Sequence, residues 1–216
     1  MKKYKEAITY LDKILEIDQE YVYAIVNKGI VLSEMKKHKE AIIYFDKALE
    51  INPNYVHALN RKGYTLSEMK KYEEAIKYFD KALKINPEYV YALLNKGNAL
   101  YGNKSYDEAI ECYDKALYIH PNEVDALLNK VVVLLKLNKK LEDAKKICNS
   151  LKSRTDLEEQ DYSSLMILYS KLKDIKSVKQ VFEKTSKDIE LYETYTKILE
   201  IHAEPNLKEK QRMQTE

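Results

Sequence analysis

The side chains here from which a reactive centre could be assembled are four histidines, two cysteines and a glutamate that returns at a fixed interval. His38, His57, His120 and His202 are scattered, and no His or Cys pair has the spacing of metal ligands. Cys112 occupies the slot filled elsewhere by Tyr44 and Tyr78, and Cys148 that of Phe45 and Phe79, so both read as core filler rather than nucleophiles. His38 replaces Tyr72 and Tyr106 and reads as packed. Acid–base catalysis needs one special pair of carboxylates in unlike environments, whereas Glu40, Glu74 and Glu108 recur unit after unit and describe surface structure. No glycine-rich phosphate loop is present, and no strand pattern to carry one. The expectation is a chain that is not an enzyme and holds neither metal nor cofactor.

Those spacings come from a repeated element. Residues 38–66, HKEAIIYFDKALEINPNYVHALNRKGYTL, return at 72–100 as YEEAIKYFDKALKINPEYVYALLNKGNAL and at 106–134 as YDEAIECYDKALYIHPNEVDALLNKVVVL. Gly29, Gly63 and Gly97 keep the same step, as do Pro53, Pro87 and Pro121. Between these markers apolar residues recur at three and four, as in Ala75, Ile76, Phe79, Ala82 and Leu83, which is helical periodicity. The pattern predicts two helices per unit, near Val56–Met69 and Tyr72–Ile85. A short turn at Lys70–Lys71 makes them antiparallel neighbours, and Pro87 ends the second. Mid-helix Gly63 costs about 1 kcal/mol in propensity; that cost makes sense if Gly63 faces Ala75 and lets the helices close. Lys28, Lys62, Lys96 and Lys130 would lay their stems over the seam while the ammonium reaches water.

Composition sets the class. Lys plus Arg at 37 nearly balances Asp plus Glu at 35, and the signs alternate locally, as in DKAL at Asp46, Asp80 and Asp114. Such interleaving describes a solvated face laced with ion pairs, not a field for nucleic acid. No apolar run is long enough to span a bilayer, the first residues lack an apolar signal core, and two cysteines suit a reducing compartment. The expected location is cytoplasmic.

Leu59, Gly63, Leu66, Tyr72, Ala75, Phe79, Ala82 and Pro87 together resemble the tetratricopeptide repeat, and the resemblance runs over 3–183, densest from 22 to 121. It implies an all-α, right-handed superhelical solenoid of antiparallel helix pairs, about twelve helices in all, whose first helices line a concave surface. The expected order is a half repeat over 1–21 (second helix only), then repeats over 22–55, 56–89 and 90–123. A divergent repeat over 124–156, with one residue inserted near Lys140–Leu141, precedes a degenerate one over 157–187. A capping helix over 188–205 and a charged tail over 206–216 follow. The unpaired first helix would leave Ile8, Leu11 and Leu15 partly uncovered, the mark of a fragment or of an edge for self-association.

Helical geometry places the residues off the Leu59–Gly63–Leu66 seam on the open face. They are Tyr23, Val26, Asn27, Ile30 and Ser33 in one unit, and His57, Asn60, Arg61, Tyr64 and Ser67 in the next. Tyr91, Leu94, Asn95, Asn98 and Tyr101 follow, then Asp125, Leu128, Asn129 and Val132. Tyrosine joins a large contact area to a polar tip, which suits recognition. Asn27, Arg61, Asn95 and Asn129 form a series similar to the asparagine ladder by which some tetratricopeptide proteins hold a peptide backbone, since an amide both donates and accepts; the same slot can also tie neighbouring helices together. The carboxylate-clamp pattern of other members finds Val26, Ile30, Arg61, Leu94 and Asn98 in its slots, and shifted by one unit gives a single match. The expected function is an adaptor that binds a neutral or apolar peptide or helix of another protein. Homo-oligomerisation is the alternative. RNA binding is disfavoured, because Arg61 and His57 are nearly the only basic groups on that face.

Overall fold

The computed structural model describes residues 2–137, 141–184, 193–198 and 201. Among them there are eleven helices, a further helical stretch over 193–198, and no strand. The chain divides into two compact units, Met1–Pro121 and Asn122–Glu216. The first contains α1 (Lys2–Ile17), α2 (Val22–Glu34), α3 (His38–Ile51), α4 (Val56–Glu68), α5 (Tyr72–Ile85), α6 (Val90–Gly102) and α7 (Tyr106–Ile119). The second contains α8 (Val124–Lys136), α9 (Leu141–Ser153), α10 (Glu159–Lys171) and α11 (Ile175–Glu183).

In the first unit α2 packs on α3, α4 on α5 and α6 on α7, and each pair stacks on the next. The first helices also touch one another, α2 with α4 and α4 with α6. The turn inside each pair is a Schellman cap. The Lys71 N–H reaches the Leu66 carbonyl (2.9 Å) and the Lys70 N–H the Ser67 carbonyl (2.8 Å). Lys70 takes the left-handed position at φ 60°, as do Lys36 and Lys104. The turn between pairs is built on Asn52 and Asn86, whose side-chain oxygens accept from the N–H two residues on.

Gly63 lies in α4 where that helix packs on α5, and its nearest neighbour there is an aromatic ring. A Cβ there would stand 2.6 Å from the ring of Phe79, which lies across the glycine; Phe45 covers Gly29 and Tyr113 covers Gly97 in the same way. The glycine makes room for a ring, and Ala75 is buried beside it in the same cluster as Phe79. The ammoniums of Lys28, Lys62 and Lys96 are turned to carboxylates rather than to water. Lys62 is buried and pairs with Asp46 of the preceding helix pair, Lys28 pairs with Asp12, and Lys96 lies 2.6 Å from Asp80. Burial pulls the Lys62 pKa down, but hydrogen bonds to Asp46 and Tyr78 outweigh it and hold the ammonium above its ordinary value. On α1, Ile8 and Leu15 pack against the core around Ile25 and Phe45 yet, like Leu11, stay only half-buried, and Tyr4, Tyr10, Ile14 and Ile17 are exposed.

In the second unit α8 packs on α9, α10 on α11, and α8 on α10. Val131, Ala144, Cys148, Leu151, Leu165 and Val178 are fully buried there. Burial pushes the Cys148 thiol up to about 12, which leaves it no thiolate character near neutral pH. The residue inserted before Leu141 and the tail over 206–216 lie outside the described residues, as does most of 188–205.

Candidate functional site

Each first helix in unit 1 starts with the same three-residue phrase: Tyr21-Val22-Tyr23, Tyr55-Val56-His57 and Tyr89-Val90-Tyr91. The first residue is the N-cap and the third sits in the opening turn, so both rings leave the helix at one end. Stacking of the units makes them a single row. Successive ring centroids from Tyr21 through Tyr23, Tyr55, His57 and Tyr89 to Tyr91 lie 5.9, 5.8, 5.6, 5.5 and 5.9 Å apart. Tyr23 and Tyr91 are 60% and 67% exposed, while Tyr55 and Tyr89 are half-buried between them. The Tyr89 hydroxyl and His57 Nδ1 are 3.1 Å apart. Burial raises the Tyr55 and Tyr89 hydroxyl pKa values, so these groups stay neutral and able to donate.

The open-face residues expected from the sequence divide into three groups. Tyr23, Asn27, His57, Arg61, Tyr64, Tyr91 and Asn98 are exposed, and Ile30, Asn95 and Tyr101 are half-buried. Val26, Asn60 and Leu94 are buried and cannot be contact anchors. For Val26 and Asn60 that flank of the helix packs against the next first helix, α2 on α4 and α4 on α6, a second seam that a single-seam reading leaves out. Polar side chains stitch that seam: Asn95 Nδ2 donates to Asn60 Oδ1 (3.0 Å), and the Ser33 and Thr65 hydroxyls share a hydrogen bond of 3.0 Å. Asn95 therefore ties neighbouring helix pairs of unit 1 together. Asn98 accepts from the buried Tyr113 hydroxyl at 2.7 Å.

In unit 2 the first helices α8 and α10 leave a cleft of about 340 Å³ between them. Leu128, Val132, Ile167 and Leu168 give it an apolar floor, and Asn129 contributes from the α8 side. Leu128 is buried and meets the cleft only as part of this floor. Asp125 and Asp161 stand toward the N-terminal ends of the two helices, Lys171 at the C-terminal end of α10. Asp161 is already engaged, accepting from the Glu158 N–H in a capping box. Residues 160–171 were not anticipated as part of any site. Nothing among the described residues gathers three or more His, Cys, Asp or Glu side chains in a metal-holding group.

Models of the tetratricopeptide repeat match residues 22–55, 56–89 and 90–123, and a further one matches 1–21. The chain belongs to the tetratricopeptide repeat family. Among solved structures, PilW, a widely conserved type IV pilus biogenesis factor, superposes with a TM-score of 0.77 at 21% identity, covering 92% of this chain and 91% of its own. PilF of Pseudomonas aeruginosa gives 0.73 at 22% identity, with 94% and 90% covered. YrrB, a tetratricopeptide repeat protein with an unusual peptide-binding site, gives 0.58 at 19% identity, with 87% and 97% covered. These likenesses establish the tetratricopeptide solenoid as the fold. No curated protein sequence matches the chain. No helix among the described residues is long and apolar enough to cross a membrane.

Proposed function

We propose that this chain is a non-enzymatic interaction module that binds an apolar or neutral peptide or helix of another protein along its first helices. The observation that carries this reading is the cleft between α8 and α10: an apolar floor, a polar rim, and room for two or three side chains of a guest. Family membership supports it, and YrrB, one of the structures with this fold, has a peptide-binding site. Val132 is half-buried and Ile167 is exposed in the cleft, so both are available for contact.

Selection of a displayed random peptide library against the whole chain tests the proposal. Enriched peptides should carry apolar side chains at helical or alternating spacing. Val132→Asp with Ile167→Asp should weaken them about tenfold or more while circular dichroism stays unchanged. Peptides that bind this double variant as tightly as the wild type would put the site elsewhere.

A further inference from the structure

The six rings at the starts of α2, α4 and α6 are more than the helix packing requires. Val22, Val56 and Val90 already turn inward beneath them, yet Tyr23 and Tyr91 keep most of their area in water. Consecutive rings are tilted by 39°, 67°, 53°, 75° and 67°, so they form a line of V-shaped notches rather than a level platform. Exposed and half-buried rings alternate from Tyr23 to Tyr91. One notch lies between Tyr23 and His57 with Tyr55 as its floor; another lies between His57 and Tyr91 with Tyr89 as its floor. The notches repeat once per helix pair, and ring-to-ring steps near 5.7 Å put their walls at most about 11 Å apart, close to the roughly 9 Å of one polyproline II turn.

We infer that this aromatic strip is the docking edge for a proline-rich segment of a partner protein in the polyproline II conformation, one turn of the segment to each helix pair. The inference rests on the reading of the chain as a segment binder and names the class of segment. A prolyl ring is a compact wedge that fits a tilted notch, whereas a nucleobase or sugar needs a flat ring face to stack on. The backbone carbonyls of such a segment are strong acceptors without intramolecular partners, and tyrosine hydroxyls supply donors. A shallow edge gives little burial per residue, so it favours a guest that loses little entropy on docking, as a preformed polyproline helix does. The strip itself carries no carboxylate. Exposed Arg61, whose charge acts on the Tyr89 hydroxyl, favours an acidic residue flanking the prolines. In the sequence the same two slots continue as Glu123 and Asp125, which ends the aromatic series and limits the segment to a few turns.

Calorimetric titration of the full chain with acetylated decaproline amide tests this. Gly-Ser peptide of equal length, oligouridylate and a cellulose oligosaccharide serve as comparisons. Decaproline should bind with a dissociation constant below about 1 mM and the others should not. Tyr23→Ala with Tyr91→Ala should weaken it at least tenfold with the melting curve unchanged, because both rings are solvent-exposed. Absence of decaproline binding, binding indifferent to the double variant, or tyrosine-dependent binding of the nucleotide or sugar each overturns the inference. The two proposals fail separately. Library peptides that lose affinity only in the Val132/Ile167 variant, with decaproline silent, preserve the segment-binding reading and sink this one.

Discussion

In unit 1 one pair of slots holds Gly29 under Phe45, Gly63 under Phe79 and Gly97 under Tyr113; in unit 2 the corresponding slots hold Val131 and Cys148. Both pairings are fully buried. The small partner has grown and the large one has shrunk, so the volume at the crossing is kept while the residue types change. The units also differ at their helix starts. Helices α2 to α7 of unit 1 have no side-chain N-cap bond and neither has α8, whereas later in unit 2 α10 opens on a capping box and α11 on Asp174, which accepts from the Ser177 N–H at 3.0 Å. Iterated contact from helix pair to helix pair holds the regular helices, and local devices hold the irregular ones. Regularity yields a strip of like rings; its loss yields a cleft.

The largest test of this contrast is to transplant the second solution into the first. Gly63→Val should destabilise unit 1 by about 3 kcal/mol, because its Cβ meets the Phe79 ring, and Phe79→Cys should cost about as much through the cavity it leaves. The double variant should unfold in urea at least about 1 kcal/mol less destabilised than the sum of the singles. Additive losses would show that volume is not what the crossing conserves.

A smaller effect is expected at the caps. Asp174→Ala should cost about 1 kcal/mol at neutral pH. Burial raises the Asp174 carboxyl pKa, but hydrogen bonds from Ser177 outweigh it, so the folded value lies below the ordinary 3.8. Its contribution is therefore fully present above that ordinary value and lost as pH falls through the depressed one. The alanine variant should converge with the wild type in acid denaturation once pH has fallen through that depressed value; a gap that persists at the acid end would mean the loss is not electrostatic.

The smallest effect concerns a feature both units share. Lys70 and Lys173 sit at φ 60° and 58° in equivalent Schellman caps. Replacing either by glycine should raise stability by about 0.5–1 kcal/mol, since the left-handed region is strained for a residue with a Cβ. Opposite signs at the two sites, read from thermal melts, would break the equivalence.

The sequence already carried the period, the helix pairs and the turn at Lys70–Lys71, because apolar spacing and proline placement report directly on local structure. It hid the partner of Gly63. A glycine and an alanine both look like devices for close approach, and only a folded crossing shows the ring of Phe79 laid over the glycine. It hid the left-handed lysines as well, since nothing about Lys36 or Lys104 distinguishes them from other exposed lysines. The open face was legible where a side chain has one neighbour, as at Tyr23 and Arg61. It was misread at Val26 and Asn60, where the next first helix covers a second flank, and at Leu94, which is buried. Tyr21, Tyr55 and Tyr89 stand just before the first helices. Their joining with Tyr23, His57 and Tyr91 needs the lateral stacking of helices far apart in the chain.

The ion pairs Lys28–Asp12, Lys62–Asp46 and Lys96–Asp80 each reach from one helix pair to the one before it, between identical slots. Each of these three junctions in unit 1 is thus a plug and socket of a single gauge. Removing 56–89 as a cassette would present Lys96 to Asp46 and orphan no charge, so the array can shorten or lengthen by whole cassettes at small electrostatic cost. Its reach along a guest would change in the same steps.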